Sequence, residues 1–283
     1  MKINIKIKES IKNILKFFIL SISKIGKINI QEIAYHQMGI LNYENYYLSG
    51  EKFFLHTILK KYVDQRQPIF FDIGANTGDY SLELSLEFPD ANIYAFEPNP
   101  ISYRVLQSKV KLLNVHCFNI GLGSSESYLN FYTNKNDLGS SHASIYKEVI
   151  TDIHKYKNFA SFKIITTNLD AFCVENDIGC IDVLKIDTEG NEFDILKGAK
   201  NLLLENRINL IQFEFNEMNV ISRVFLRDYY LLLDKFDFYR LHTNKLIPLL
   251  KYDTSNEIFK FQNILAINKF MKNIRQSLKG QFG

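Results

Sequence analysis

The segment from Ile69 to Tyr80, IFFDIGANTGDY, constrains the fold of this chain more than any other stretch. It opens with an apolar run that fits a strand buried on both faces, and Asp72 stands near the end of that run. A tight turn follows, made of Gly74, Ala75, Asn76, Thr77 and Gly78. A helix-like apolar segment then runs to about Phe88. A strand, a glycine turn and a helix form the first unit of a doubly wound α/β fold, which binds ligands at the carboxyl ends of its strands.

Six further apolar runs complete a predicted Rossmann-like sheet. The core strands after the first are Ile93–Phe96, Val115–Asn119, Ile181–Ile186, Asn209–Phe215, Phe238–Thr243 and Asn263–Ile267. The short link with Pro248 between the last two predicts an antiparallel pair. We therefore expect a seven-stranded, mostly parallel sheet with an antiparallel last strand.

The alternation of strands and helices is interrupted after the third core strand, which predicts an insertion on the ligand-binding face. Ser127–Tyr132 and Phe162–Thr167 are predicted to form extra strands, and Asn134–Ser144 is a polar loop between them. Gly121–Ser124 is predicted to be a loop, and Ile33–Lys61 mostly helix with a break at Ser49 or Gly50.

Acidic and amide side chains at the strand ends indicate the ligand. Glu97 follows the turn by about 20 residues, the spacing at which a carboxylate accepts both hydroxyls of an adenosine ribose. The turn lacks the G-x-G-x-x-G pattern that lets a backbone approach a pyrophosphate. A carboxylate at Asp72 suits the ammonium and sulfonium groups of S-adenosylmethionine (SAM), which has no phosphate. Asn119 and Asp187 stand at two further strand ends, so the pattern predicts a class I SAM methyltransferase fold.

Methyl transfer to a hydroxyl also needs a group that removes a proton. The candidates for that active-site role are Asp187, Glu189, Glu214 and His142. His142 lies in the polar insertion loop, where a solvated histidine is the simpler interpretation. A divalent metal could be held by the three carboxylates, but their spacing does not require one, and no metal ligand is predicted.

From about Gly39 to Asn268 the chain resembles the FkbM family of SAM-dependent methyltransferases. The shared segments are NYENYYLSGEKFF, FFDIGANTGDYS, FEPNP, LKIDTEGNEFDILKGA, IQFEFNEMNVISRVFLRDYY and EIFKFQNILAI, of which LKIDTEGNEFDILKGA is the most specific. The resemblance implies SAM binding by Asp72, Gly74, Asn76, Gly78 and Glu97, with Asp187 and Glu189 in the family's DTEG block. The loop LGSSHAS stands where relatives often have GxSSL, so the role of His142 stays open.

The resemblance implies O-methylation of a hydroxyl. Members of the family act on polyketide-type natural products, and many are associated with bacterial surface-glycan biosynthesis. We therefore expect a sugar of a surface glycan or its precursor as the acceptor, with a small secondary metabolite as the alternative. A NAD(P)-dependent oxidoreductase or epimerase is less favoured, because it needs the dinucleotide glycine pattern. Acidic residues at successive strand ends argue against a non-catalytic binding module.

Composition and charge limit the partners. The 283 residues are 46% hydrophobic with a net charge of +3, which predicts a folded chain, and no basic stripe interleaved with aromatics indicates nucleic acid. Three cysteines with no disulfide or zinc spacing predict a reducing, cytoplasmic setting. The oligomeric state is left open by the sequence.

The two ends of the chain are basic. Residues 1–38 form a predicted lysine-rich helical extension, 39–270 the methyltransferase domain, and 271–283 a basic tail. The extension is predicted either to be a solvated or packing helix or to touch an anionic membrane at its inner face as an amphipathic helix. No run of about 20 apolar residues predicts a membrane span.

Overall fold

The computed structural model describes residues 2–62 and 67–271, with side chains from Glu9 onwards. Its first helices are α1 (Lys2–Gly26) and α2 (Ile30–Gln37). The predicted helix over Ile33–Lys61 is interrupted at residues 38–50, where Gly39 and Leu41 have positive φ angles. Helix resumes in three consecutive pieces, α3 (Glu51–Phe53), a π-helical turn (Phe54–Leu59) and α4 (Lys60–Tyr62).

The central sheet has eight strands. They are β1 (Ile69–Ile73), β2 (Asn92–Phe96), β3 (Val115–Phe118), β7 (Ile181–Ile186), β8 (Ile208–Phe215), β9 (Phe236–Leu241), β10 (Leu246–Pro248) and β11 (Gln262–Asn268). Their order is β10-β9-β11-β8-β7-β1-β2-β3. Strands β3, β2, β1, β7 and β8 pair in parallel, and β11 lies antiparallel between β8 and β9. The strand order reverses between β1 and β7, which makes that point the crevice where such sheets bind ligands.

The doubly wound class and the antiparallel last strand are confirmed, and the number of strands is corrected. The prediction of seven strands missed β10, which adds an edge to β9 through an antiparallel pair from Leu246 to Pro248. This strand is only three residues long and ends in Pro248, and the prediction treated it as part of the link between two strands.

The insertion forms a second sheet of three strands. They are β4 (Gly121–Leu122), β5 (Ser127–Asn134) and β6 (Phe159–Thr167), in the order β4-β6-β5. The predicted loop at Gly121–Ser124 is wrong in its first half, because Gly121 and Leu122 pair in parallel with Thr166 and Thr167. The insertion predicted after the third strand is confirmed, and its loop faces the carboxyl ends of the central strands.

Helices cover both faces of the central sheet. They are α5 (Asp79–Glu87), α6 (Pro100–Lys109), α7 (Leu169–Glu175), α8 (Glu192–Lys197), α9 (Lys200–Leu204), α10 (Met218–Ser222) and α11 (Leu226–Leu232). The chain breaks between α8 and α9, where Gly198 lies against the backbone carbonyl of Gly123. Successive residues of β1 point to opposite faces of the sheet, so Phe70 packs in the hydrophobic core on one face and Phe71 in the core on the other.

The predicted boundaries at residues 39 and 270 stay predictions. The basic tail lies outside the described residues, apart from its first residue, Met271. Among the helices of residues 2–62 and 67–271, none is long and apolar enough to cross a membrane.

Candidate active site

Three adjoining cavities lie at the carboxyl ends of β1, β2, β7 and β8. Gly74, Asn76, Ser141 and Asp187 line all three. The crevice cavity has a free volume of about 50 Å³, and its further lining includes Glu97, Ile120, Leu122, Ile145, Glu189 and Asn191.

The other two cavities are larger and share Tyr43, Glu214 and Phe261. The aromatic cavity, of about 470 Å³, also contains Tyr46, Glu51, Tyr80 and Lys185. The acidic cavity, of about 460 Å³, also contains His142, His154, Glu189, Asn216 and Glu217.

The glycine turn is held close to β2 by its backbone. The N–H groups of Gly74 and Ala75 both donate to the carbonyl of Phe96 at 3.0 Å. Gly74 and Gly78 have φ angles of 80° and 84°, and Asn76 has a φ of 47°, which is uncommon for a residue with a side chain. Strained backbone of this kind is concentrated at ligand sites, and it exposes the turn to all three cavities.

The carboxylate of Glu97 is fixed by two backbone donors. The N–H of Asn76 donates to its Oε2 at 2.8 Å, and the N–H of Asn99 donates to its Oε1 at 2.7 Å. Burial raises the pKa of Glu97 to about 7, although both hydrogen bonds act to lower it. Each oxygen keeps a second lone pair, so the carboxylate can still accept from a ligand in the crevice cavity.

A buried lysine joins two of the predicted carboxylates. Lys185, the next-to-last residue of β7, places its Nζ 3.5 Å from Asp72 Oδ1 and 3.2 Å from Asp187 Oδ2. Its ammonium also lies 4.8 Å from the centre of the Tyr80 ring. Burial alone would lower the pKa of Lys185, but Asp187 and Asp72 outweigh it and raise that pKa. The lysine is therefore charged, and it orients the Asp187 carboxylate.

The loop after β7 is fixed from inside. Glu192 Oε1 accepts from the N–H groups of Thr188 and Gly190 at 2.8 and 3.1 Å. Ser144 of the insertion loop donates from its Oγ to the carbonyl of Glu189 at 2.8 Å. Glu189 has a φ of 55°. These bonds hold a strained residue in place and tie the insertion to the central sheet.

The acidic cavity contains titratable groups whose pKa values are strongly shifted. Burial, followed by the charge of Asp187, raises the pKa of Glu189 to about 8 and that of Glu214 well above its ordinary value. Burial lowers the pKa of His142 and of His154. The site thus combines carboxyl groups that ionise only at raised pH with histidines that stay neutral. Such a combination suits proton transfer.

The two histidines form a stacked pair behind Glu189. Their ring centroids are 4.1 Å apart with an interplanar angle of 7°. His154 Nε2 lies 3.4 Å from Glu189 Oε2, and His142 Nδ1 lies 3.0 Å from the hydroxyl of Tyr156. The pair therefore supports one side of the Glu189 carboxylate.

The structure brings the four predicted catalytic residues together. Asp187, Glu189, Glu214 and His142 all line the acidic cavity. Of the predicted cofactor residues, those lining a cavity are Gly74, Ala75, Asn76, Glu97 and Asp187.

Three predicted cofactor residues lie behind the cavities. Asp72 is fully buried, and its oxygens are occupied by Ser81 Oγ at 2.6 Å and by Lys185. Asn119 donates to the backbone carbonyl of Glu97 at 2.8 Å. Gly78 precedes α5 without lining a cavity. The expectation that the Asp72 carboxylate faces the ligand does not agree with this geometry; these residues support the turn and the end of β2.

Lys185 and His154 are among the site residues that were absent from the sequence prediction. The role of Lys185 could have been predicted, because a lysine inside the buried strand IDVLKI needs a buried partner of opposite charge. His154 had no such signal, since it lies 33 residues before the carboxylate at position 187 and reaches the cavity only through the fold of the insertion. Within residues 2–62 and 67–271, no group of three or more His, Cys, Asp or Glu side chains has an arrangement that could hold a metal ion.

The family model described as the methyltransferase FkbM domain matches residues 72–239, from the end of β1 into β9. The chain belongs to this FkbM methyltransferase family. The match includes the glycine turn, Glu97, the insertion and the Asp187–Gly190 loop. The protein is accordingly a methyltransferase.

Curated relatives of this FkbM domain are distant. The 2-O-methyltransferase NoeI of Sinorhizobium fredii is 23% identical over 58% of this chain and 70% of its own length. Methyltransferase sdnD of Sordaria araneosa is 30% identical, with coverage of 47% and 60%. The hexuronic acid methyltransferase AglP of Haloferax volcanii is 26% identical, with coverage of 55% and 59%. The chain therefore spans about three fifths of the length of the latter two.

Among solved structures, methyltransferase FkbM of Methylobacillus flagellatus has a TM-score of 0.43 at 14% identity. That alignment covers 71% of this chain and 43% of the other.

Proposed function

We propose that this protein is a SAM-dependent O-methyltransferase that methylates a hydroxyl of a sugar in a bacterial surface glycan or its precursor. The observation that carries the proposal is the position of Asp187 and Glu189, which line both the crevice cavity and the acidic cavity. A methyl donor in the first and a hydroxyl in the second would meet at these two residues. The names of NoeI and AglP, a 2-O-methyltransferase and a hexuronic acid methyltransferase, support a sugar acceptor.

The chemistry of the crevice cavity fits SAM better than a dinucleotide. Its described lining contains the carboxylates of Glu97, Asp187 and Glu189 and neither lysine nor arginine, so it suits a cation and repels a diphosphate. The buried Oδ1 of Asn191 has no hydrogen-bond partner among the described residues, and an amino group such as that of adenine would satisfy it. Because ligand cavities usually measure about 300–1,000 Å³, we expect the insertion loop around Ser141 to move outward when SAM binds.

The chain's own residues position the acceptor and remove its proton. SAM, when bound, would supply an electrophilic methyl group attached to a thioether leaving group. Glu189 accepts the hydroxyl proton in its ionised form, whose share rises as the pH approaches its pKa of about 8. His154, 3.4 Å from Glu189 Oε2, acts as a positioning residue for that carboxylate. Lys185 holds Asp187 towards the reacting centre, which supplies the alignment that a one-step displacement needs.

The lining of the acidic cavity indicates the character of the acceptor. It presents Asp187, Glu189, Glu214 and Glu217 and contains no lysine or arginine among its described residues. Carboxylates and neutral histidines accept hydrogen bonds from hydroxyl groups, and those carboxyl groups that are ionised repel a second carboxylate. We therefore favour an uncharged or amino-bearing sugar over a uronic acid at the methylated position. A small secondary metabolite with several hydroxyls is the second candidate, and the similarity to sdnD favours it.

We also propose a cytoplasmic location at the inner face of the membrane. The three cysteines are free thiols, as a reducing compartment would leave them. The lysine-rich first helix supports the contact with the inner face.

Two experiments test the function. Titration calorimetry with SAM, its demethylated product and NAD tests the cofactor, and binding of NAD in place of SAM would contradict the proposal. Mass spectrometry of surface glycans from cells with and without the protein tests the acceptor, and the expected result is the loss of one methyl group.

A substitution then separates catalysis from binding. Glu189→Gln should lower kcat by about 100-fold or more while SAM binding stays near that of the parent protein. Glu205→Gln, a change of the same kind at a side chain 59% exposed, is the matched control.

A further inference from the structure

Helix α1 carries an apolar face that the rest of the described chain leaves uncovered. Six large side chains form it, each between 52% and 87% exposed: Ile11, Ile14, Leu15, Phe18, Ile22 and Ile25. Their spacing of three and four residues places them along one side of the helix. None of them joins the hydrophobic clusters described for the part of the chain from Glu9 onwards. Leaving such a large apolar surface in water is unusual, so a partner is expected.

The opposite side of α1 is basic. Lys12, Lys16 and Lys24 project there, and the helix has one acidic residue, Glu9. An apolar face backed by lysines is the pattern of a helix that lies in the plane of a membrane surface, with its ammonium groups at the level of anionic headgroups. We propose that α1 binds the surface of an anionic bilayer with this apolar face.

The shape of the apolar face favours a bilayer over a second copy of the chain. Phe17 and Ile19, 69% and 54% exposed, flank the six residues and widen the apolar surface beyond the narrow seam of a coiled coil. Pairing two copies would also bring helices of the same positive charge together, which costs free energy. A broad lipid surface covers the whole arc and attracts the lysines.

The contact would hold the acceptor side of the protein near the membrane. The residues after α2 are tied to the central sheet, because Arg240 Nη1 donates to the carbonyl of Met38 at 3.2 Å. The N–H of Leu41 also donates to the carbonyl of Phe261 at 2.8 Å. Phe261 lines both the aromatic and the acidic cavities. The segment that carries α1 is thus attached at the border of the cavities.

Vesicle co-sedimentation of the full chain tests the proposal. The vesicles contain phosphatidylcholine alone or phosphatidylcholine with phosphatidylglycerol, at low and high salt. We expect binding to anionic vesicles at least tenfold tighter than to neutral ones, and weaker binding in high salt because ions screen the lysines. Lys12→Gln with Lys16→Gln should weaken binding roughly fivefold per lysine.

A pair of matched double variants separates the apolar face from general effects. Phe18→Gln with Ile22→Gln should remove most vesicle binding, whereas Asn13→Gln with Ser23→Gln, on the polar side, should not. Thermal unfolding and SAM calorimetry on the same variants check that the methyltransferase domain is unchanged.

Three results would overturn the proposal. The first is an apolar-face variant that binds vesicles like the parent protein, and the second is a parent protein that binds neither kind of vesicle. The third is a dimer in sedimentation velocity that only the apolar-face variant disrupts, since a second copy would then cover the face. Methyltransferase activity does not enter these readouts, so they are independent of the proposed function.

Discussion

Gly74 and Asp187 are packed so closely that a Cβ on Gly74 would overlap the backbone carbonyl oxygen of Asp187. The contact joins the turn after β1 to the end of β7, the two strands between which the sheet order reverses. Both residues line all three cavities, so this backbone contact is part of the wall that the cavities share.

Gly74→Ala should therefore be strongly destabilising. The φ of 80° and the overlap with Asp187 together predict a loss of about 2–4 kcal/mol in the free energy of unfolding, with weakened SAM binding. Urea unfolding and calorimetry would measure the two effects. Gly179→Ala is the control, because nothing lies within 4 Å of the added Cβ, and its effect should be close to zero. Equal effects of the two substitutions would contradict the packing argument.

Lys185→Met should destabilise the protein, because it leaves the carboxylates of Asp72 and Asp187 without the cation that they share. Asp72 is fully buried and Asp187 is partly exposed, so we expect a loss of about 3 kcal/mol in the free energy of unfolding. Lys197→Met removes an exposed pair with Asp194 and should change stability by less than about 1 kcal/mol. Chemical denaturation of both variants measures the difference. A Lys185 variant as stable as the Lys197 variant would show that the buried pair does not orient Asp187.

Glu189→Gln should change how stability depends on pH. Folding raises the pKa of Glu189 from 4.5 to about 8 through burial, so the folded state keeps a proton that the unfolded state releases. Stability from this group is fully present below pH 4.5 and is lost as the pH rises towards 8. A glutamine cannot ionise. The difference in free energy of unfolding between the variant and the parent should therefore shift by about 3 kcal/mol in favour of the variant when the pH is raised from 5 to 9.

Thermal unfolding at the two pH values checks this result. Glu205→Gln, at an exposed position, should show the same small effect at both. If the Glu189 variant differs from the parent by an equal amount at pH 5 and pH 9, the carboxyl group is not the buried acid that its surroundings indicate.

The acidic cavity should discriminate between acceptors by charge. An uncharged sugar should be methylated with a kcat/KM at least about tenfold higher than the corresponding uronic acid, because the cavity carboxylates repel a second one. Glu217→Gln should narrow the difference several-fold, since Glu217 lines this cavity and is two-thirds buried. Initial rates with matched sugar pairs measure the ratio. A preference for the uronic acid by the parent protein would refute the electrostatic argument.

Local patterns in the sequence were enough to predict the architecture and the position of the candidate site. Apolar runs such as Ile69–Phe71 and the glycine turn identify a doubly wound sheet, because strand burial and turn geometry depend on residues close together in the chain. The same local logic placed Glu97 and Asp187 at strand ends, and parallel strands bring their carboxyl ends to one edge of the sheet. The four predicted catalytic side chains therefore line one cavity.

Packing between distant segments determines which of those side chains line the cavities. Asp72 and Asp187 have similar positions at the ends of neighbouring strands, yet Lys185 and Ser81 enclose Asp72 while Asp187 remains in the cavities. His154 reaches Glu189 across a distance of 35 residues in the chain. Partners of this kind come from packing between distant segments, and residue type and spacing carry no signal for them.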